Sequence, residues 1–265
     1  MSLLSTVHTK FRKLQLTAQY VALRATSHQW LFVVGHMRSG SSLMVHILNS
    51  NPDILGYGET HIPYRSRRTL AKLHRHIRDE FTNNEVHVGS HRYTMDKILH
   101  DHIRNTSVLK TGPLKVLVTV RTPDNALPSI LDLNMPSIQR PEEALAYYTS
   151  ALDRIDRWVG DYGRPYVLVN YDDLVRKPDA VLDVISSYLE LDEPLSPTYE
   201  VTWATGKRGI GDTSETIRTQ KIEEKVSSYE AVIPDVVQAQ ATEHYERFLG
   251  RHDDYRARRQ AIGAQ

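Results

Sequence analysis

The chain has 265 residues, no cysteine, and 33 basic against 32 acidic side chains, a net charge of +1. Such a length buries a core of its own without staples, and the missing cysteines exclude disulfides and thiolate metal sites. Near-neutral charge gives no global attraction to nucleic acid, so any anion site has to be local. No apolar run approaches a membrane span. The opening MSLLSTVHTKFRKLQLTAQY is broken by charges and followed by no small-residue cleavage site, so neither a transmembrane segment nor a secretory signal is expected. Together with the absence of cysteine, this leads us to expect a cytoplasmic protein.

The elements follow in order. Leu4, Val7, Phe11, Leu14, Ala18 and Val21 recur every three or four residues and predict a helix over about 3–26. Its basic residues Lys10, Arg12, Lys13 and Arg24 leave two readings, a helix docked on the domain or one that touches a membrane surface. Leu31 to Val34 reads as a buried parallel strand, Ser42 to Leu48 as a helix, and Ile54 to Tyr57 as a second strand. Residues 61–110 are polar and weakly patterned, and are read as helices and loops covering the sheet and supplying a substrate pocket. Lys115 to Val120 is a strand, and Pro123 opens a helix. A long helix runs from Pro141 to Val159, with acids in its first turn. Tyr166 to Asn170 is a strand, Pro178 to Tyr188 a helix, and 201–213 a basic, glycine-rich loop. Two helical stretches and a frayed tail finish the chain. Strands alternating with helices predict an α/β class: one P-loop-like three-layer domain over residues 1–265, with a mainly parallel central sheet flanked by helices.

The loop Gly35-His36-Met37-Arg38-Ser39-Gly40-Ser41-Ser42 has the Gly-x4-Gly spacing of a phosphate-binding loop between strand and helix. Backbone N–H groups and the helix dipole make such a turn attractive to anions. A nucleotide triphosphatase would carry Lys where this chain has Ser41. With Arg38 as its one fixed charge, the loop suits a terminal phosphate better than a magnesium triphosphate.

Arg38-Ser39-Gly40-Ser41-Ser42 resembles the first signature of the sulfotransferases that use 3′-phosphoadenosine 5′-phosphosulfate (PAPS). The stretch through Glu59 is similar to the protein-tyrosine sulfotransferase branch and its bacterial relatives. Arg121 and Ser129 in KVLVTVRTPDNALPSIL match the second signature. Lys207, Arg208 and Gly209 look like the family's closing loop, one residue short. Tyr171 lies in a stretch similar to a late strand of the family. The resemblance covers 31–60, 115–131, 166–190 and, loosely, 201–212.

What the resemblance implies is a transfer of the sulfuryl group from PAPS to a hydroxyl, leaving adenosine 3′,5′-bisphosphate (PAP) and needing no metal. Arg38, Ser39, Gly40, Ser41 and Ser42 would hold the 5′-phosphate, and Arg38 the moving sulfonate. Arg121 and Ser129 would grip the 3′-phosphate, with Tyr171, Lys207, Arg208 and Gly209 near the nucleotide. Ser129 would also temper premature hydrolysis. Glu59 would be the catalytic base, a role that calls for partial burial. Each residue has a plainer alternative: a salt bridge for Arg121, core for Tyr171, a solvated turn for 207–212, a surface acid for Glu59. The family's Lys-x-Pro element is absent, and Ser90 or His91 is read in its place, which makes His91 a rival base or an ordinary surface histidine. His74 with His76 and His100 with His102 are the nearest histidine pairs, and neither spacing predicts a metal site. The acceptor, which the resemblance does not identify, would be a glycan, lipid, small molecule or tyrosyl peptide. The run Tyr64-Arg65-Ser66-Arg67-Arg68 would suit an anionic acceptor if it is not simply a solvated face. A homodimer stays open. Two other readings remain, a P-loop kinase or NTPase with Asp172 or Asp173 on magnesium, and a non-catalytic nucleotide-binding module.

Overall fold

Leu31 and Val33 lie on one side of the first strand, Trp30, Phe32 and Val34 on the other, and all five are shut away from solvent. A strand that is apolar on both faces needs cover on both faces. A parallel sheet between two helical layers supplies it. The computed structural model describes residues 3–86, 88–206, 215–223 and 229–252. Its elements are α1 (Leu3–Arg24), β1 (Gln29–Gly35), α2 (Ser41–Asn49), β2 (Ile54–Leu55), α3 (Arg68–Asn83), β3 (Tyr93–Ile98) and β4 (Leu114–Val120). Then come α4 (Pro123–Leu131), α5 (Pro141–Tyr162), β5 (Val167–Asn170), α6 (Tyr171–Arg176), α7 (Pro178–Leu189) and α8 (Asp235–Leu249).

The five strands pair in the order β2-β3-β1-β4-β5, every neighbouring pair parallel. On one face α1, α3, α4, α5 and α8 pack over Trp30, Phe32, Val34, Val116, Val118 and Val120. On the other, α2, α6 and α7 pack over Leu31, Val33, Met95, Leu117, Val167 and Val169. The expected α/β three-layer architecture is present. Among the described residues no helix is long and apolar enough to cross a membrane. α1 docks through Tyr20, which stacks on Trp30 at 5.5 Å, while Phe11, Leu14 and Val21 stay exposed.

From β1 the chain turns toward β2 at one edge, and from β4 it turns toward β5 at the other. This reversal leaves a crevice beyond the carboxyl ends of the two strands, the place where open α/β sheets bind ligands. The turn after β1, Arg121 after β4 and Tyr171 after β5 all open there.

One expectation needs correction. Residues 61–110 do not merely cover the sheet, because they contribute β3, an interior strand paired with both β1 and β2. Tyr-Thr-Met-Asp-Lys-Ile shows no apolar run, yet all six residues are buried. Its polar members find internal partners: Thr94 meets histidines, and Asp96 accepts from Tyr64 Oη at 2.6 Å and from Thr60 N at 3.0 Å. The second strand is also shorter than expected, ending at Leu55.

Candidate active site

Gly35 ends β1 where it presses against β4. A Cβ there would lie 2.4 Å from Thr119 Oγ1, so only glycine fits. Ser39 Oγ and Thr119 Oγ1 are 2.9 Å apart and tie the loop to β4. Arg38 and Gly40 both take left-handed conformations, with φ of 66° and 82°. For arginine this costs roughly 1–2 kcal/mol, and such strain is typical of a backbone shaped for a ligand. Gly40 caps α2 without a side chain, so the first-turn amides at Ser41 and Ser42 keep their donors for an anion.

His36 is fully buried and sets the loop's far wall. Its Nδ1 is 2.7 Å from Met37 O, and its Nε2 accepts from Arg121 N at 3.2 Å. Only the neutral Nδ1–H tautomer satisfies both contacts. Burial pushes its pKa down to about 4, against the pull of the Met37 carbonyl and helped by Arg121 nearby. Met37 N in turn donates to Tyr147 Oη at 2.8 Å.

Arg38 Nε donates to Ser129 Oγ at 2.8 Å. Because that bond uses Ser129 as acceptor, its own O–H stays available to donate. Arg121 is buried, its Nε without a hydrogen-bond partner and 3.9 Å from Asp172 Oδ1. The guanidinium lies over the Tyr171 ring at 4.5 Å, and that ring lies against Gly40. Asp172 is already engaged by Thr122 Oγ1 at 2.8 Å and Asn125 Nδ2 at 3.2 Å. It is therefore a holder of Arg121 and of the α4 turn, not a carboxylate open to magnesium.

Glu59 follows β2, with its side chain 11% exposed, and Oε1 is 3.4 Å from Lys97 Nζ. Lys97 also donates to Ser42 Oγ at 3.1 Å. This lysine, buried on β3, bridges the loop and the carboxylate. It was not among the residues expected from the sequence, where Ser90 or His91 is read in place of the family's lysine. The signal that could have found it is a lone lysine inside a strand that the sheet order requires. Glu59 Oε2 is buried and has no hydrogen-bond partner.

The structure thus brings Arg38, Ser39, Gly40, Ser41, Ser42, Glu59, Arg121, Ser129 and Tyr171 to one pole. It does not bring His91 there. His91 lies before β3, and the rise of a strand puts it about 20 Å from the Lys97 end. There it joins His28 and His74. That geometry separates it from any base role beside Glu59. Lys207, Arg208 and Gly209 lie outside the described residues.

No protein-family model matches the chain, and no curated protein does. Solved structures do. The sulfotransferase domain from the curacin biosynthetic pathway superposes with a TM-score of 0.55 over 82% of this chain and 97% of that one, at 15% identity. The sulfotransferase STF9 from Mycobacterium avium covers 88% of this chain and 81% of its own, at 14% identity and a TM-score of 0.47. Retinol dehydratase, in a complex with retinol and PAP, covers 87% of this chain and 85% of its own at 11% identity, with a TM-score of 0.41. At such identities the likeness speaks for architecture, and the superposition spanning nearly all of the curacin domain shows that this chain has the sulfotransferase fold.

Proposed function

We propose that the protein is a PAPS-dependent sulfotransferase acting on a hydroxyl acceptor. The observation that carries this is the state of two buried atoms at one pole. Glu59 Oε2 and Arg121 Nε both lack hydrogen-bond partners. A buried carboxylate oxygen and a buried guanidinium nitrogen left open are costly unless a ligand completes them. An anionic nucleotide with an acceptor hydroxyl would complete both.

Sulfuryl transfer resembles phosphoryl transfer, so the protein's work is positioning and charge stabilisation along an in-line path. The loop amides and Arg38 receive the 5′ end of the donor. Arg121, backed by Asp172 and stacked on Tyr171, and the Ser129 hydroxyl receive the 3′-phosphate. Lys97 has three N–H donors, two directed at Ser42 and Glu59, which leaves one for the sulfonate in flight. Glu59 Oε2 accepts the proton of the attacking hydroxyl. None of these steps calls for a metal.

Calorimetric titration with PAP, AMP and ATP, each with and without magnesium, tests the reading. A clear preference for PAP is the expected result. Preference for magnesium-ATP, or no binding of any of them, overturns it. The acceptor then follows from a turnover screen of sugars, lipids, phenols and tyrosyl peptides.

A further inference from the structure

At the end of the sheet opposite the candidate active site, three imidazoles converge. His28 precedes β1, His74 sits on the inner face of α3, and His91 precedes β3. One nitrogen from each lies within 4.8 Å of the others. The ring centroids are 4.7, 5.6 and 5.6 Å apart. His28 and His74 are almost wholly buried. The three rings aim at one oxygen, Thr94 Oγ1, at 3.1 Å from His28 Nε2, 2.9 Å from His74 Nδ1 and 3.4 Å from His91 Nε2.

Hydrogen-bond accounting shows why a lone hydroxyl is a poor centre for this cluster. His91 Nδ1 faces Gly89 O at 3.4 Å. Spending that Nδ1 proton on the carbonyl leaves His91 Nε2 a bare acceptor, beside His28 Nε2 and His74 Nδ1 around the same oxygen. Thr94 has one hydroxyl proton, so it can satisfy only one bare nitrogen. A cation would satisfy every lone pair at once. Ligating histidines ordinarily give their second N–H to a carbonyl, as His91 does.

We infer that His28, His74 and His91 form a binding site for a divalent first-row transition ion, with zinc the best fit. Three imidazole nitrogens with a solvent oxygen make a tetrahedral donor set that zinc accepts. With nitrogens within 4.8 Å of one another, the rings would draw together and the Thr94 hydroxyl between them turn aside to give zinc–nitrogen distances of about 2.0–2.1 Å. The bound ion would join α3 to the entries of β1 and β3, a structural staple remote from the nucleotide pole. The inference does not depend on the sulfotransferase reading.

The test uses the full chain, stripped by chelator and dialysed. Zinc titrated by calorimetry should bind once per chain, with micromolar affinity or tighter. At about a hundredfold excess over its Kd it should raise Tm by roughly 5 °C. Cobalt in its place should give the visible absorption of a four-coordinate ion. His91→Gln, a half-buried side chain outside any helix or strand, should weaken zinc binding at least tenfold with an unchanged far-ultraviolet spectrum. A second histidine group, His61 and His102 beside Glu59, is the internal control. The inference is wrong if zinc does not bind, if His91→Gln binds it as well as the natural chain, or if His102→Gln abolishes binding that His91→Gln leaves intact.

Discussion

Glu59 and Lys97 form one ion pair almost out of reach of solvent, 3.4 Å apart. Removing one partner of such a pair costs about 3–5 kcal/mol, because the other is left buried and uncompensated. Lys97→Met should therefore show a large loss in urea denaturation, and Glu59→Gln/Lys97→Met should regain much of it. Glu59→Gln alone keeps an oxygen acceptor for the lysine but removes the charge and the proton affinity. Turnover should drop by roughly 10²–10⁴ while PAP affinity stays within a few fold. Equal loss of binding and turnover would reassign Glu59 from base to nucleotide ligand. His36 carries a pH dependence. Its folded pKa, about 4, lies below the ordinary 6.5. Its neutral form thus contributes stability that is complete above pH 6.5 and is lost as pH falls toward 4, about 3 kcal/mol in all. His36→Gln should flatten that part of the stability profile between pH 7 and 4. An unchanged profile would mean that His36 is charged when folded.

At the scale of elements, the turn from β1 into α2 depends on a second clearance besides that of Gly35. A Cβ on Gly40 would stand 2.2 Å from the Tyr171 ring, on a backbone at φ 82° that side chains resist. Gly40→Ala should cost about 2–4 kcal/mol by the two effects together and weaken PAP binding. Adding Tyr171→Ala should return the steric part and leave the backbone part. If the double variant is no better than the single, Tyr171 does not form the loop's wall. Elements of this kind were open to sequence reading because their signals are local. Apolar runs mark β1, β4 and β5, Pro123 and Pro141 begin helices, and Gly-x4-Gly lies between strand and helix. β3 was not open to it. Its Thr94, Asp96 and Lys97 read as polar, and they are buried only because Tyr64, Thr60, Glu59, Ser42 and the histidines arrive from elsewhere in the chain. Missing that strand hid Lys97 and drew attention to His91. In the sequence His74 and His76 are near neighbours, whereas α3 turns His74 into the triad and sends His76 to Tyr57 Oη at 2.7 Å.

Across the whole molecule the sheet separates two polar clusters, with the candidate active site at the carboxyl ends of its strands and the histidine triad at the amino ends. Between them lie β1 and β3, whose inner residues are packed on both faces. Coupling over such a span needs an element with two arrangements that both sites bias, and a closely packed parallel sheet supplies none. The two ends should therefore behave as independent contributors. The stability losses of Gly40→Ala and His91→Gln, measured by urea denaturation, should add to within about 0.5 kcal/mol, as they do for sites beyond direct contact. PAP affinity should be the same with and without zinc, since a ligand that favours no arrangement of the distant site cannot change it. Gly40→Ala with Tyr171→Ala, by contrast, should depart strongly from additivity, because those side chains share one gap. A zinc-dependent PAP affinity would mean that β3 slides or tilts as a unit, carrying Lys97 relative to Ser42. The sheet would then be a lever between its two ends and not a partition.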